Sequence, residues 1–136
     1  MKTYKNKRSG FTIIELMIVI GIVALLVALA YPSYAQYVMK ARRGEAQQLL
    51  LNWSINQEIW RSNNIAYATE AQLPVPNHDD YIFDLVVDPP TATAYTLRAT
   101  AQGNQANDTS RGGVPGDCAI LTLDQSGVKT LAACWD

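Results

Sequence analysis

One histidine and two cysteines are the only imidazole and thiol groups among the 136 residues of this chain. That scarcity argues against zinc clusters and histidine-based catalytic sites, which need several converging groups. His78 stands beside Asp79 and Asp80, but three adjacent loop residues rarely turn toward one ion, so no metal site is expected there. Asp84, Asp88, Asp108, Asp117 and Asp124 lack the spacing of a calcium loop. Glycine-rich phosphate loops, nucleophile elbows and metalloprotease helices are missing as well. The expectation is therefore a non-enzyme with no catalytic residue, cofactor or metal. No repeat of 20 residues or more is evident, which removes solenoid folds.

Positive charge is scarce beyond the first ten residues. Lys2, Lys5, Lys7 and Arg8 sit there without an acid, leaving seven bases against twelve acids in the remainder. A body with a side-chain balance of −5 lacks the clustered positive face of a typical nucleic-acid binder. The basic leader also fixes orientation, because cationic flanks stay on the cytoplasmic side of a membrane.

What the chain has in abundance is one apolar run. From Phe11 to Tyr31 there are twenty-one residues with a single charge, Glu15. As a helix that run is about 31 Å long, the thickness of a bilayer's hydrocarbon core. A carboxylate inside such a segment costs on the order of a few kcal/mol unless it finds a partner. An ordinary secretory signal would be cut after the run, and Ala28-Leu29-Ala30 fits that pattern only loosely.

The junction Gly10-Phe11-Thr12-Ile13-Ile14-Glu15-Leu16-Met17-Ile18-Val19-Ile20 resembles the class III signal of type IV pilins and related pseudopilins. Tyr31-Pro32-Ser33-Tyr34, Arg42-Arg43-Gly44-Glu45-Ala46 and a late cysteine pair extend the likeness. The segments Tyr95 to Ala101 and Leu123 to Lys129 look most like minor pilins of the ComP and PilE type. The resemblance implies that a prepilin peptidase cleaves between Gly10 and Phe11 and that Phe11 is then N-methylated. It implies that Glu15 meets the free amine of a neighbouring subunit's Phe11 in a filament. Physics agrees, since an ammonium and a carboxylate in an apolar setting offset part of each other's desolvation.

Past the run, Pro32 should kink the helix without ending it, and Gly21 should soften it by about 1 kcal/mol relative to Ala. Between Ser33 and Arg61, Ala46, Leu49, Leu50, Trp53 and Trp60 share one helical arc. Tyr34, Tyr37, Ala41, Leu51, Ile55 and Ile59 share another. Two apolar arcs need two partners, one the chain's own sheet and the other the helices of neighbouring subunits. Arg42, Arg43 and Glu45 interrupt the arcs. They are read either as a solvated face or as contacts to charges on an adjacent subunit.

The remainder reads as a loop followed by strands Tyr81–Val87, Tyr95–Ala101, Ala119–Leu123 and Val128–Leu131. The expected fold is α+β, a long helix on a four-stranded antiparallel sheet. Its organisation is a leader at 1–10, a membrane and filament-core helix at 11–31 and an amphipathic half at 32–62. A loop at 63–80 and a sheet region at 81–136 complete it. In an exported chain, Cys118 and Cys134 across the last hairpin read as a disulfide, and the resemblance implies the same bond. Fifteen residues lie between them, so the link would add roughly 3 kcal/mol.

The expected function is a minor pilin that enters or initiates a pilus serving motility, adhesion and DNA uptake. Its partners would be other pilins, the prepilin peptidase, the assembly machinery and, before assembly, the inner membrane. The globular part would face the periplasm. DNA is the weaker candidate partner, because only Arg98, Arg111 and Lys129 bring positive charge to the globular part. A ComP-like DNA receptor and a secretion pseudopilin are the alternatives.

Overall fold

The helix begins where the sequence supplies a cap. Thr12 Oγ1 accepts the Glu15 backbone N–H at 3.3 Å, and the Thr12 carbonyl accepts that of Leu16 at 3.2 Å. A threonine three residues before a glutamate is a recognised start signal, and Glu15 complements the positive end of the helix dipole. From there α1 runs over Ile13–Asn63, with Pro32 inside it. The computed structural model describes residues 10–87, 89–110 and 113–135. The basic leader at 1–9, Asp88, Arg111, Gly112 and Asp136 lie outside the described residues.

The chain divides into two compact units, one up to Ala35 and one from Gln36 onward. In the first, every side chain from Phe11 to Tyr34 is exposed. In the second, three strands form one antiparallel sheet in the order β1 (Tyr81–Leu85), β2 (Thr96–Ala101), β3 (Ile120–Asp124). Strict alternation puts Tyr81, Phe83 and Leu85, then Leu97, Ala99 and Ala101, then Leu121 and Leu123 on the buried face. Ala46, Leu50 and Trp53 of the helix complete that core. Tyr67 adds an edge-to-face contact with Tyr95, centroids 4.6 Å apart.

The expected fourth strand, Val128–Leu131, does not form; only an isolated bridge joins Leu123 to Lys129. Asp124 Oδ1 accepts the backbone N–H of both Ser126 and Val128, so the turn consumes the start of that segment. Gly127, at φ +76°, supplies the left-handed position the turn requires. At the far end Leu131 itself is left-handed, φ +52°, and leads into a short 3₁₀ turn over Ala132–Cys134. Too few residues remain between turn and bend to build a ladder. Between the second and third strands a 3₁₀ turn, Gly103–Asn107, buries Gln105 and leads to buried Asp108.

Candidate functional site

Gly10 and Phe11 precede the helix, and Phe11 is 84% exposed. A Cβ built on Gly10 would meet nothing within 4 Å, so packing in this chain does not demand a glycine there. The apolar residues that follow have no cover within their unit, although α1 is long and apolar enough to cross a membrane. Glu15 is exposed in the first turn, where its carboxylate can accept bonds from a cation brought by another molecule.

The amphipathic stretch in the second unit divides as its two arcs require. Ala46, Leu50 and Trp53 are buried, with Leu49 packed against them and Trp60 half-buried. On the other arc Tyr37 is 74% exposed, Ile55 56% and Ile59 60%. An apolar stripe of that kind marks an interaction surface.

The three interrupting charges behave differently from one another. Arg42 Nη1 donates to Asp80 Oδ1 at 2.8 Å, and Glu45 Oε2 lies 3.3 Å from His78 Nε2. His78 Nδ1 accepts the Asp80 N–H at 3.0 Å, so both ring nitrogens are engaged within the chain. Arg43, read from sequence as solvated or reaching a neighbour, is 3% exposed and turned inward. Its Nη1 donates to Asp108 Oδ2 at 3.1 Å and to the Thr109 carbonyl at 3.2 Å. The reading of Arg43 as a contact to another subunit therefore needs correction. Its place on the helix points at the loop after β2, and burial there demands a carboxylate partner.

Three glutamines missed by pattern reading fasten the helix to the rest of the globular unit. Gln105 Nε2, with two hydrogens to give, lies within hydrogen-bond distance of the Met39 carbonyl (2.9 Å), Tyr81 Oη (3.0 Å) and Asp108 Oδ2 (3.2 Å). Gln47 donates to the Cys134 carbonyl at 2.7 Å. Gln57 grips Ala68 twice, donating to its carbonyl and accepting its N–H. The only available signal was position: Gln57 lies four residues after Trp53, on the buried arc.

Electrostatics in this region follow from burial and local bonding. Burial pushes the Asp108 carboxyl above the ordinary carboxylate value, against the pull of Arg43. Asp117 moves the other way, held down by bonds from the Ser110 hydroxyl and N–H. A Cβ on Gly113 would meet the side-chain oxygens of Asp117 and Ser110, so any larger residue there must push that pair aside.

At the C-terminus Cys118 and Cys134 form a disulfide. Asp117 lies near both sulfurs, but sulfurs bonded to each other offer no thiolate to a metal. Lys129 Nζ stacks over the Trp135 ring, 4.6 Å from its centroid, and Trp135 Nε1 donates to the Thr130 carbonyl at 3.2 Å. Arg98 is paired with Asp84, so its charge is largely spoken for.

Comparison with known proteins adds a family. Residues 32–122 match the family described as "Type IV minor pilin ComP, DNA uptake sequence receptor", and residues 5–31 match the prokaryotic N-terminal methylation motif. The chain is similar to the type IV major pilin protein PilE1 of Neisseria gonorrhoeae, 41% identical over 66 residues, which is 43% of this chain and 31% of that one. It is also similar to prepilin peptidase-dependent protein D of Escherichia coli (strain K12), 56% identical over 54 residues, 40% of this chain and 37% of that one. The chain thus spans well under half the length of these relatives. A type IV pilin structure from Shewanella oneidensis aligns with a TM-score of 0.56 and 26% identity, covering 72% of this chain and 98% of that one.

Proposed function

Because this chain belongs to the type IV pilin family, we propose that it is a minor subunit of a type IV pilus. In this reading the peptide bond after Gly10 is cut by a prepilin peptidase and the new amine of Phe11 is methylated. The helix over 11–31 then waits in the inner membrane, with the globular part in the periplasm. Assembly moves it from lipid into a bundle of neighbouring helices, and the role is structural, without catalysis. The observation that carries the reading is the wholly exposed apolar helix with one carboxylate, Glu15, behind the Gly10-Phe11 junction. Glu15 accepts the amine of an adjacent subunit, and the exposed arc of Tyr37, Ile55 and Ile59 packs on other helices. Arg42 and Glu45, both at the surface of the helix, border that packing.

Mass spectrometry of sheared pili tests this. The expected result is a chain that begins with methylated Phe11, at low stoichiometry, and that disappears from pili in Glu15→Ala. A mature chain beginning after Tyr31, or normal incorporation of the variant, would overturn it.

A second reading, capture of DNA during uptake, is favoured by the match over 32–122 to a family described as a DNA uptake sequence receptor. Lys129 on Trp135 is its best-placed cation, held in a fixed position by the ring. Labelled duplex DNA should bind the protein with an affinity that falls steeply with salt, and Lys129→Gln should reduce that slope by about one. Binding that is indifferent to salt argues against this role.

A further inference from the structure

We propose that a cavity in the globular unit, beside the Gln36–Arg43 part of the helix, binds a phosphate ester carrying one negative charge, the chemistry of a phospholipid headgroup. Its walls include Gln36, Tyr37, Lys40, Arg43, Thr109 and Ser110. Asp108, also on the wall, balances Arg43 at 3.1 Å, while Lys40 is exposed and enters no ion pair among the described residues. The lining is left with one net positive charge, which is what a phosphodiester monoanion complements. A lysine ammonium serves as a point-charge binder of phosphate, and it is the group that remains available here. Around it the Gln36 amide and the Tyr37 phenol add neutral donors suited to phosphoryl oxygens, while the Thr109 hydroxyl donates to the Asn107 carbonyl. The Ser110 hydroxyl is committed to Asp117, which fixes the far wall.

Position selects the source of the phosphate. Gln36 stands five residues after Tyr31, where the apolar run ends. Five residues span at most about 18 Å in any conformation, which bounds only the distance of Gln36 from the end of the apolar run, where the polar headgroup layer would begin. That layer occupies roughly 5–7 Å on each side of the hydrocarbon core. Tyrosine rings and long lysine stems settle there of their own accord, and Tyr37 and Lys40 are both exposed at the lip. The inference rests on the part of the proposed function that puts 11–31 in a bilayer before assembly, and on neither the minor role nor DNA capture.

The test uses the full mature chain in dodecyl maltoside micelles, following the amide resonances of Thr109, Ser110 and Gly113. One titration adds dihexanoyl phosphatidylglycerol and a second adds inorganic phosphate. Saturable shifts are expected with the lipid, weakened about tenfold or more in Lys40→Gln and unchanged in Lys129→Gln. Inorganic phosphate saturating at least as tightly as the lipid would identify a soluble phosphate as the ligand of the same site; much weaker saturation identifies the headgroup. No saturable shift with either probe, or equal shifts in Lys40→Gln, overturns the proposal. Normal pilus incorporation alongside such a failure would leave the assembly role standing.

Discussion

Arg43 on the helix and Asp108 on the loop after β2 meet at 3.1 Å, each side chain only 4% exposed. The Asp108 carbonyl also accepts the N–H groups of Gly116 and Cys118, so one residue ties the helix to the base of the disulfide loop. A buried ion pair adds little net stability, yet stranding one member is expensive. Arg43→Met should therefore destabilise the globular part by about 3–5 kcal/mol, and Asp108→Leu alone by a similar amount. The double replacement should recover much of the loss. Denaturant unfolding read through buried Trp53 measures all three.

Asp108 and Asp117 should impose opposite pH dependences. Asp117 has a depressed pKa, so its contribution is present above the ordinary carboxylate value and is lost as pH falls through the folded one. Asp108 has a raised pKa, so its contribution is present below the ordinary value and is lost as pH rises through the folded one. Asp117→Asn should flatten the acid limb of a stability profile, and Asp108→Asn should steepen it. Melting temperatures across the acidic range would show the two slopes.

Two buried phenols predict alkaline sensitivity. Burial drives Tyr81 and Tyr95 up to about 12 each, from an ordinary value of 10.0. Unfolded tyrosine ionises first, so stability should fall as pH rises from 10 toward 12, by at most roughly 2–3 kcal/mol per residue. Tyr81→Phe and Tyr95→Phe should each shift the alkaline midpoint upward. Ultraviolet titration of tyrosinate alongside unfolding checks the order of events.

The disulfide should hold the tail against the sheet. Replacing both Cys118 and Cys134 with serine should lower stability by roughly 3 kcal/mol. It should also weaken the Gln47 bond to residue 134 and free Trp135 from Lys129. A red shift in Trp135 emission, with the other two tryptophans changed to phenylalanine, would report that release.

Legibility in the sequence followed the range of the interactions. The helix was readable because its signals are local: one long apolar run and two arcs set by a 3.6-residue period. The three strands were readable from alternation, to within two residues at their ends. Val128–Leu131 failed because its fate is decided by a side-chain turn at Asp124 and a bend at Leu131, neither visible in a hydropathy pattern. Gln47, Gln57 and Gln105 were missed, and the inward turn of Arg43 misread, for a different reason. The partners that draw them inward lie 11 residues away for Gln57, 65 for Arg43, 66 for Gln105 and 87 for Gln47, and nothing local says which polar residue will turn inward.

Leu131 carries a further implication. A leucine in the left-handed region is held about 1–2 kcal/mol above its preferred backbone, with more than half of its surface in solvent. The C-terminal segment is thus a latch under tension, closed by the neighbours on either side of it. Cutting the sulfur link should let the backbone relax and swing the last residues outward, whereas glycine at 131 would leave the latch shut and remove the tension.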